Sequence, residues 1–119
     1  MDLFDTTQVS LAAALRGSSA RQQAIAANIA NVNTPGYRRV DVPFTDQLRS
    51  AMGTGDTKAI DAWTPATQVD ATAARRADGN SVDLDTESAA QAANGLQYET
   101  IAQVLKSRIE ILQSAIGTR

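Results

Sequence analysis

Large apolar side chains crowd into the two ends of this chain. Of its 24 Leu, Ile, Val and Phe residues, eight fall in 1–34 and nine in 83–119, whereas 49–81 hold only Ile60 and Val69. The ends must therefore carry the fold. The hydrophobic fraction of 43% overstates the material for a core, because 22 of the 119 residues are Ala. Leu, Ile, Val and Phe make up a fifth of the chain, at the edge of compositions that stay disordered, although the net charge of −2 is too small to complete that signature. The composition argues for an Ala-rich helical chain that buries surface against neighbours.

The first end has helical periodicity. Leu11, Leu15, Ser18, Gln22, Ile25, Ile29 and Val32 follow at alternating spacings of four and three, an a/d seam of about three heptads. Asp5, Thr6 or Thr7 is placed to cap the helix. Ser18 and Gln22 weaken the seam, and Gly17-Ser18-Ser19 lowers helix propensity. The N-terminal core helix is assigned to 1–34. It reads equally as one arm of a two-helix hairpin and as a helix that packs among copies of itself. Thr34-Pro35-Gly36-Tyr37 ends it, since Pro cannot extend the ladder and Pro-Gly suits a type II turn.

Residues 35–82 read as a connecting segment. Arg38–Val42 is a short extended stretch, and Pro43 opens a short helix near 44–52 with Phe44 and Leu48 on one face. From Gly53 to Asn80, Thr, Asp, Gly, Ala and Pro predict a flexible loop, with Trp63 as an anchor rather than a ligand contact. The second end, 83–119, is the C-terminal core helix. Asp83 or Asp85 caps it, and Tyr98, Ile101, Leu105, Ile109, Leu112 and Ile116 form its stripe. Asn94-Gly95 predicts a kink, and Gly117 falls at a C-cap position.

The chain has no His and no Cys, which excludes His- or Cys-based zinc sites, Ser–His–Asp and Cys–His nucleophiles and disulfides. The glycines form no phosphate-binding loop. Asp83, Asp85 and Glu87 are explained by a helix N-terminus. No catalytic, cofactor or metal residues are assigned, and the chain reads as non-enzymatic. Charge balance gives no reason for nucleic-acid binding. No apolar run reaches the roughly 18 residues of a membrane span, and no Sec signal peptide is visible. Arg38-Arg39, Arg75-Arg76 and Lys106/Arg108 read as solvated charges, or as contacts to acidic neighbours in an assembly.

Residues 12–39 taken whole, with Arg21-Gln22-Gln23-Ala24-Ile25-Ala26-Ala27-Asn28-Ile29-Ala30-Asn31 followed by Asn33-Thr34-Pro35-Gly36-Tyr37-Arg38, resemble the N-terminal signature of the bacterial flagellar rod and hook proteins. Gly79–Glu87, with Asn94, Leu96 and Tyr98, resembles the proximal rod members. The resemblance implies a mostly α fold. Two long terminal helices pair as an antiparallel coiled coil, joined by a largely irregular middle segment. Such coils stack helically into a hollow axial shaft. It implies a homo-oligomer in a helical assembly, with other proximal rod proteins and the membrane-ring adaptor FliE as partners. It implies passage through the flagellar type III export gate and a periplasmic rod location. Leu11, Leu15, Ile25, Ile29, Tyr98, Ile101, Leu105, Ile109, Leu112 and Ile116 become the assembly seam. Asn28, Asn31, Thr34, Pro35, Gly36 and Tyr37 become the family signature, and Phe44 and Leu48 match a Phe-x-x-x-hydrophobic export-gate motif. The rival reading is a soluble helical-hairpin adaptor or chaperone-like binding module, which explains the two amphipathic ends equally well.

Overall fold

A computed structural model describes residues 5–117. The chain is mostly helical, in the order α1 (Thr6–Ala30), β1 (Val40–Asp41), α2 (Phe44–Met52), α3 (Thr57–Ala62), β2 (Gln68–Val69) and α4 (Leu84–Gly117). The outermost residues of the two predicted core helices, 1–4 and 118–119, lie outside the described residues.

Capping sets the ends of the long helices. The Asp5 carboxylate accepts the Gln8 N–H at 3.0 Å, and Asp83 accepts the N–H groups of Asp85 and Thr86 at 2.9 and 3.2 Å. Each satisfies donors that a helix start leaves unpaired. α1 stops at Ala30, four residues short of the predicted end. Asn31 caps it, donating its side-chain N–H to the Ala27 carbonyl at 2.8 Å. The Pro-Gly turn follows: the Tyr37 N–H donates to the Thr34 carbonyl at 3.2 Å, and Gly36 has φ 74°, as the third position of a type II turn requires.

α1 and α4 lie antiparallel. Asp5 meets Arg108, Ser18 meets Asn94, and Asn28 meets Glu87, so rising numbers on one helix match falling numbers on the other. α4, 34 residues and about 51 Å long, outruns α1, 25 residues and about 37 Å. The molecule is elongated, 67 × 27 × 15 Å. Its radius of gyration is 17.8 Å, against about 13.5 Å for a compact chain of this length. α4 runs as one helix through Asn94-Gly95, where the sequence predicts a kink. Asn94 is buried and spends its amide on α1, so a residue of modest helix propensity is held by a tertiary contact.

The connecting segment is more ordered than its composition suggests. β1 and β2 pair antiparallel, Val40 opposite Val69 and Asp41 opposite Gln68. α3 lies inside the stretch read as a loop. Asp56 caps its start through the Lys58 N–H, and Arg16 of α1 closes its end, donating to the carbonyls of Ile60, Asp61 and Trp63. A six-residue helix is marginal alone; here both ends are satisfied from outside its own ladder.

The core lies between α1 and this segment rather than between the two long helices. Val9 and Ala13 pack with Leu48 and Ile60, while Ala24 packs with Val42 and Phe44. Half-buried Trp63 rests on both clusters, in the anchoring role. Burial of each large side chain contributes about 1.5–3 kcal/mol. Gly17 has a positive role here. A Cβ at that position would sit 2.6 Å from the Phe44 ring, so the ring packs directly on the helix backbone. Arg21 covers Phe44 from the side, its guanidinium 4.6 Å from the ring centre, within cation–π range.

Candidate functional site

Two features distinguish the surface and interior of this fold: a polar joint where the chain leaves and re-enters the long helices, and a row of exposed apolar side chains along α4.

The joint is built around Asn28, Arg39, Asn80 and Glu87. The Asn28 amide donates to the Val40 carbonyl at 2.8 Å and to Glu87 Oε2 at 3.2 Å; its oxygen accepts the Val40 N–H and the Tyr37 hydroxyl. Asn28 thus pairs with β1 as a strand would. Glu87 is fully buried and also accepts from Arg39 Nε. Arg39 reaches Asp70 Oδ2 at 2.9 Å with its other arm, and its backbone N–H donates to Ser81 Oγ at 2.8 Å. Asn80, also fully buried, donates to three carbonyls beyond the end of α1, those of Asn31, Val32 and Thr34 at 2.9–3.1 Å. Arg76 adds a second donor to Val32. The turn that follows α1 is thereby tied down by residues more than 40 positions away.

The charges respond to this setting. Burial pulls the Arg39 guanidinium down, but the hydrogen bond and charge of Glu87, with Asp41 and Asp70, outweigh it and hold Arg39 above the usual arginine value. Hydrogen bonds from Thr72, aided by Arg39, hold Asp70 below the usual carboxylate range. Burial, then the Glu87 charge, pushes the Tyr37 hydroxyl up. A buried carboxylate is costly unless it is paired and hydrogen-bonded, and Glu87 is both. The joint therefore locks geometry. Among the described residues, no group of three or more acidic side chains is placed to hold a metal ion.

The signature residues thus divide. Asn28, Asn31 and Tyr37 act inside the joint, while Thr34, Pro35 and Gly36 form the exposed turn that it grips. Sequence reasoning missed three members. Glu87 was read as a first-turn acid and Arg39 as a solvated charge. Asn80 was read as the end of a loop and as part of the Gly79–Glu87 resemblance, with no structural role. The one local signal was Asn80 itself, an Asn following Gly79, whose φ is 83°. Arg75 and Arg76 are likewise engaged with carbonyls of Gly79 and Val82. Arg108 pairs with Asp5, whereas Lys106 pairs with Glu110 at the surface.

Of the residues assigned to the assembly seam, Ile25 is buried; Leu11, Leu15, Ile29, Ile101, Leu105 and Leu112 are half-buried; and Tyr98, Ile109 and Ile116 are exposed. The fully shielded contacts between the long helices are polar. Ser18 donates to Asn94 Oδ1 at 3.1 Å, and the Asn94 amide donates to the Ser18 carbonyl and to Gln22 Oε1, both at 3.0 Å. The two residues read as weakening the seam are the ones that bond across it. On the far side of α4, Leu96 and Ile111 are each 69% exposed and Val104 49%. Phe44 and Leu48 lie in the core, 2% and 6% exposed.

An elongated hairpin with a rigid polar joint and unpaired apolar side chains along its longest helix has the form of a subunit completed by others. The profile of the flagella basal body rod protein family matches residues 10–38, which take in most of α1 and the turn after it. The chain is 32% identical to the flagellar basal body rod protein FlgB of Escherichia coli K12, with 87% of each chain covered. It is 31% identical to that of Yersinia enterocolitica, over 87% of this chain and 88% of the relative. It is 32% identical to that of Cereibacter sphaeroides, over 81% and 82%. The chain belongs to the FlgB family of flagellar basal body rod proteins, and it is a structural rod subunit. That membership sets aside the hairpin-adaptor reading. No helix among the described residues is long and apolar enough to cross a membrane.

Proposed function

We propose that α1 and α4 polymerise into the hollow axial shaft of the proximal rod, where the chain transmits torque, with other proximal rod proteins and the membrane-ring adaptor FliE as neighbours. The pairing of α1 with α4 tightens to a coiled coil in that lattice, along the seam residues named above. The observation that carries this reading is the exposed apolar row on α4, together with the membership of the family. The subunit reaches the periplasm through the flagellar type III export gate. Deletion of the gene is expected to abolish the rod while leaving the membrane ring intact, as seen in isolated basal bodies. A complete rod in the deletion strain overturns the proposal.

Phe44 and Leu48 serve that export step before folding, because the folded core hides both. Phe44→Ala with Leu48→Ala is expected to block secretion while the protein accumulates in the cell. Ile60→Ala damages the same core but leaves the motif intact, so it should still be secreted. Equal loss in both variants would assign the effect to folding and sink the export role.

A further inference from the structure

Asn94-Gly95 is the sole Asn-Gly step in the chain; Asn28, Asn31, Asn33 and Asn80 precede Ile29, Val32, Thr34 and Ser81. An Asn-Gly step is the one most prone to deamidate, because glycine has no side chain to hinder attack of its nitrogen on the neighbouring amide. Nothing in the fold calls for a glycine at 95. Its φ is negative, and a Cβ there would meet nothing within 4 Å, whereas Gly17 is required by the Phe44 ring. In the interior of α4 it costs about 1 kcal/mol against Ala. What Gly95 adds is the chemistry of the step. That reaction needs the Gly95 nitrogen and Asn94 Cγ free at the same moment, and in the fold neither is. The Gly95 N–H lies in the α4 ladder. The Asn94 side chain is pinned to α1 by bonds of 3.0–3.1 Å with the Ser18 hydroxyl, the Ser18 carbonyl and Gln22 Oε1. Asn94 and Ser18 are both buried.

We propose that Asn94 is a deamidation site, closed by α1 in the folded subunit and open in the unfolded chain, and that its product bars the chain from pairing α4 with α1 again. In the step, the Gly95 nitrogen bonds to Asn94 Cγ, the Cγ–Nδ2 bond breaks, and ammonia leaves with the Gly95 proton. Water then opens the cyclic imide at either carbonyl, giving aspartate or isoaspartate. The aspartate form sets a carboxylate where an NH2 group faced two acceptors, the Ser18 carbonyl and Gln22 Oε1, both at 3.0 Å. Gln22 can turn its amide to donate. The Ser18 carbonyl is fixed in the backbone of α1 and cannot. A buried charge is left against an acceptor that has lost its donor. Isoaspartate adds a methylene to the main chain and breaks the α4 ladder as well. The bonds that guard Asn94 are therefore the ones its deamidation destroys, and refolding does not undo the change. The site records time spent unfolded. In the export reading that time is spent inside the cell, so a subunit that waits too long is withheld from the rod; this last consequence rests on that reading, and the chemistry does not.

Purified protein held in mildly alkaline buffer, with and without urea, tests the site, with conversion at each asparagine read by mass spectrometry of peptides. In urea, Asn94 is expected to convert at least about tenfold faster than Asn28, Asn31, Asn33 or Asn80, and Gly95→Ala should remove that excess. Without urea, conversion at Asn94 should fall at least about tenfold, since the reaction then waits for local opening. Equal rates at all five asparagines in urea, or equal rates at Asn94 with and without it, would overturn the proposal. Ser18→Ala with Gln22→Ala takes away two of the three partners and keeps α1, since Ala favours helix more than either. Conversion in the folded variant should rise several-fold; an unchanged rate would place the protection in the helix ladder alone and overturn the closing by α1. Asn94→Asp should lower the urea midpoint by about 1 M, and Gly95→Ala should not lower it. An unshifted midpoint for Asn94→Asp would overturn the bar to pairing. In cells, basal bodies should hold the Asn94 amide intact while the cytoplasmic pool of an export-blocked strain accumulates the aspartate form. Equal levels in the two would overturn the withholding of aged chains. Absence of the chain from basal bodies would instead overturn the rod reading, and the purified protein then decides the site by itself.

Discussion

The two ends of the hairpin are held in opposite ways. At the joint, where residues 28–41 meet 70–87, buried polar groups are paired one by one, and Asn28, Asn80 and Glu87 are fully shielded. Along α4 from Leu96 to Gly117 nothing is buried, and large apolar side chains face outward. The first region is complete within the chain. The second is finished only by something outside it. A subunit that must keep its shape while remaining open to neighbours needs both conditions, and here they are separated along one helix.

The sharpest way to break this contrast is at Glu87. Glu87→Ala leaves the Arg39 guanidinium without its buried partner, and a loss of about 3–5 kcal/mol in urea unfolding is expected. Asn80→Ala removes the three buried hydrogen bonds that tie down the turn after α1 and should cost about 2 kcal/mol, again by urea titration. Gly17→Ala drives a methyl into Phe44 and should cost about 1–3 kcal/mol, despite improving helix propensity. Leu96→Ser, by contrast, should move unfolding of the isolated chain by no more than about 0.5 kcal/mol, because its side chain is already in water. A large loss there would show that the open end is not open. The smallest effect is that of pH on Asp70. Its folded pKa lies below the unfolded value of about 3.9. Its contribution is therefore present above that value and lost as pH falls through the folded pKa. The stability gap between the native chain and Asp70→Asn should shrink as pH is lowered from about 5 to below 3.9.

Much of the framework was legible in residue order. Spacings of three and four marked both long helices, and Asp5 and Asp83 were among the residues placed to cap them. The Pro-Gly pair gave the turn, and Phe44 with Leu48 gave α2. These signals are local, since each depends on residues within a turn or two of one another. The joint was not legible, because its bonds link residues such as Asn80 and Asn31, 49 positions apart, and nothing near either announces the other. The same reason hid α3, whose last carbonyls are closed by Arg16 from another helix. Ser18, Gln22 and Asn94 misled in a third way. Each looked like a defect in an apolar pattern, and together they form the polar contact that fixes how the two helices lie.

One consequence of Asn80 concerns time. The residue that ties down the turn after α1 is synthesised some 50 positions later. The exit from the first helix therefore cannot be fixed when it is made: residues 31–34 wait for residues 76–82 to arrive. A fragment ending before Asp78 should show the turn at 31–36 loosened, with fast amide exchange at Gly36 that is slowed in the full chain, where that N–H bonds the Asp78 carbonyl. The order of events is then built into the covalent sequence. The long arms remain adjustable until the piece between them is in place, and the subunit takes its final shape last at the point where the chain turns.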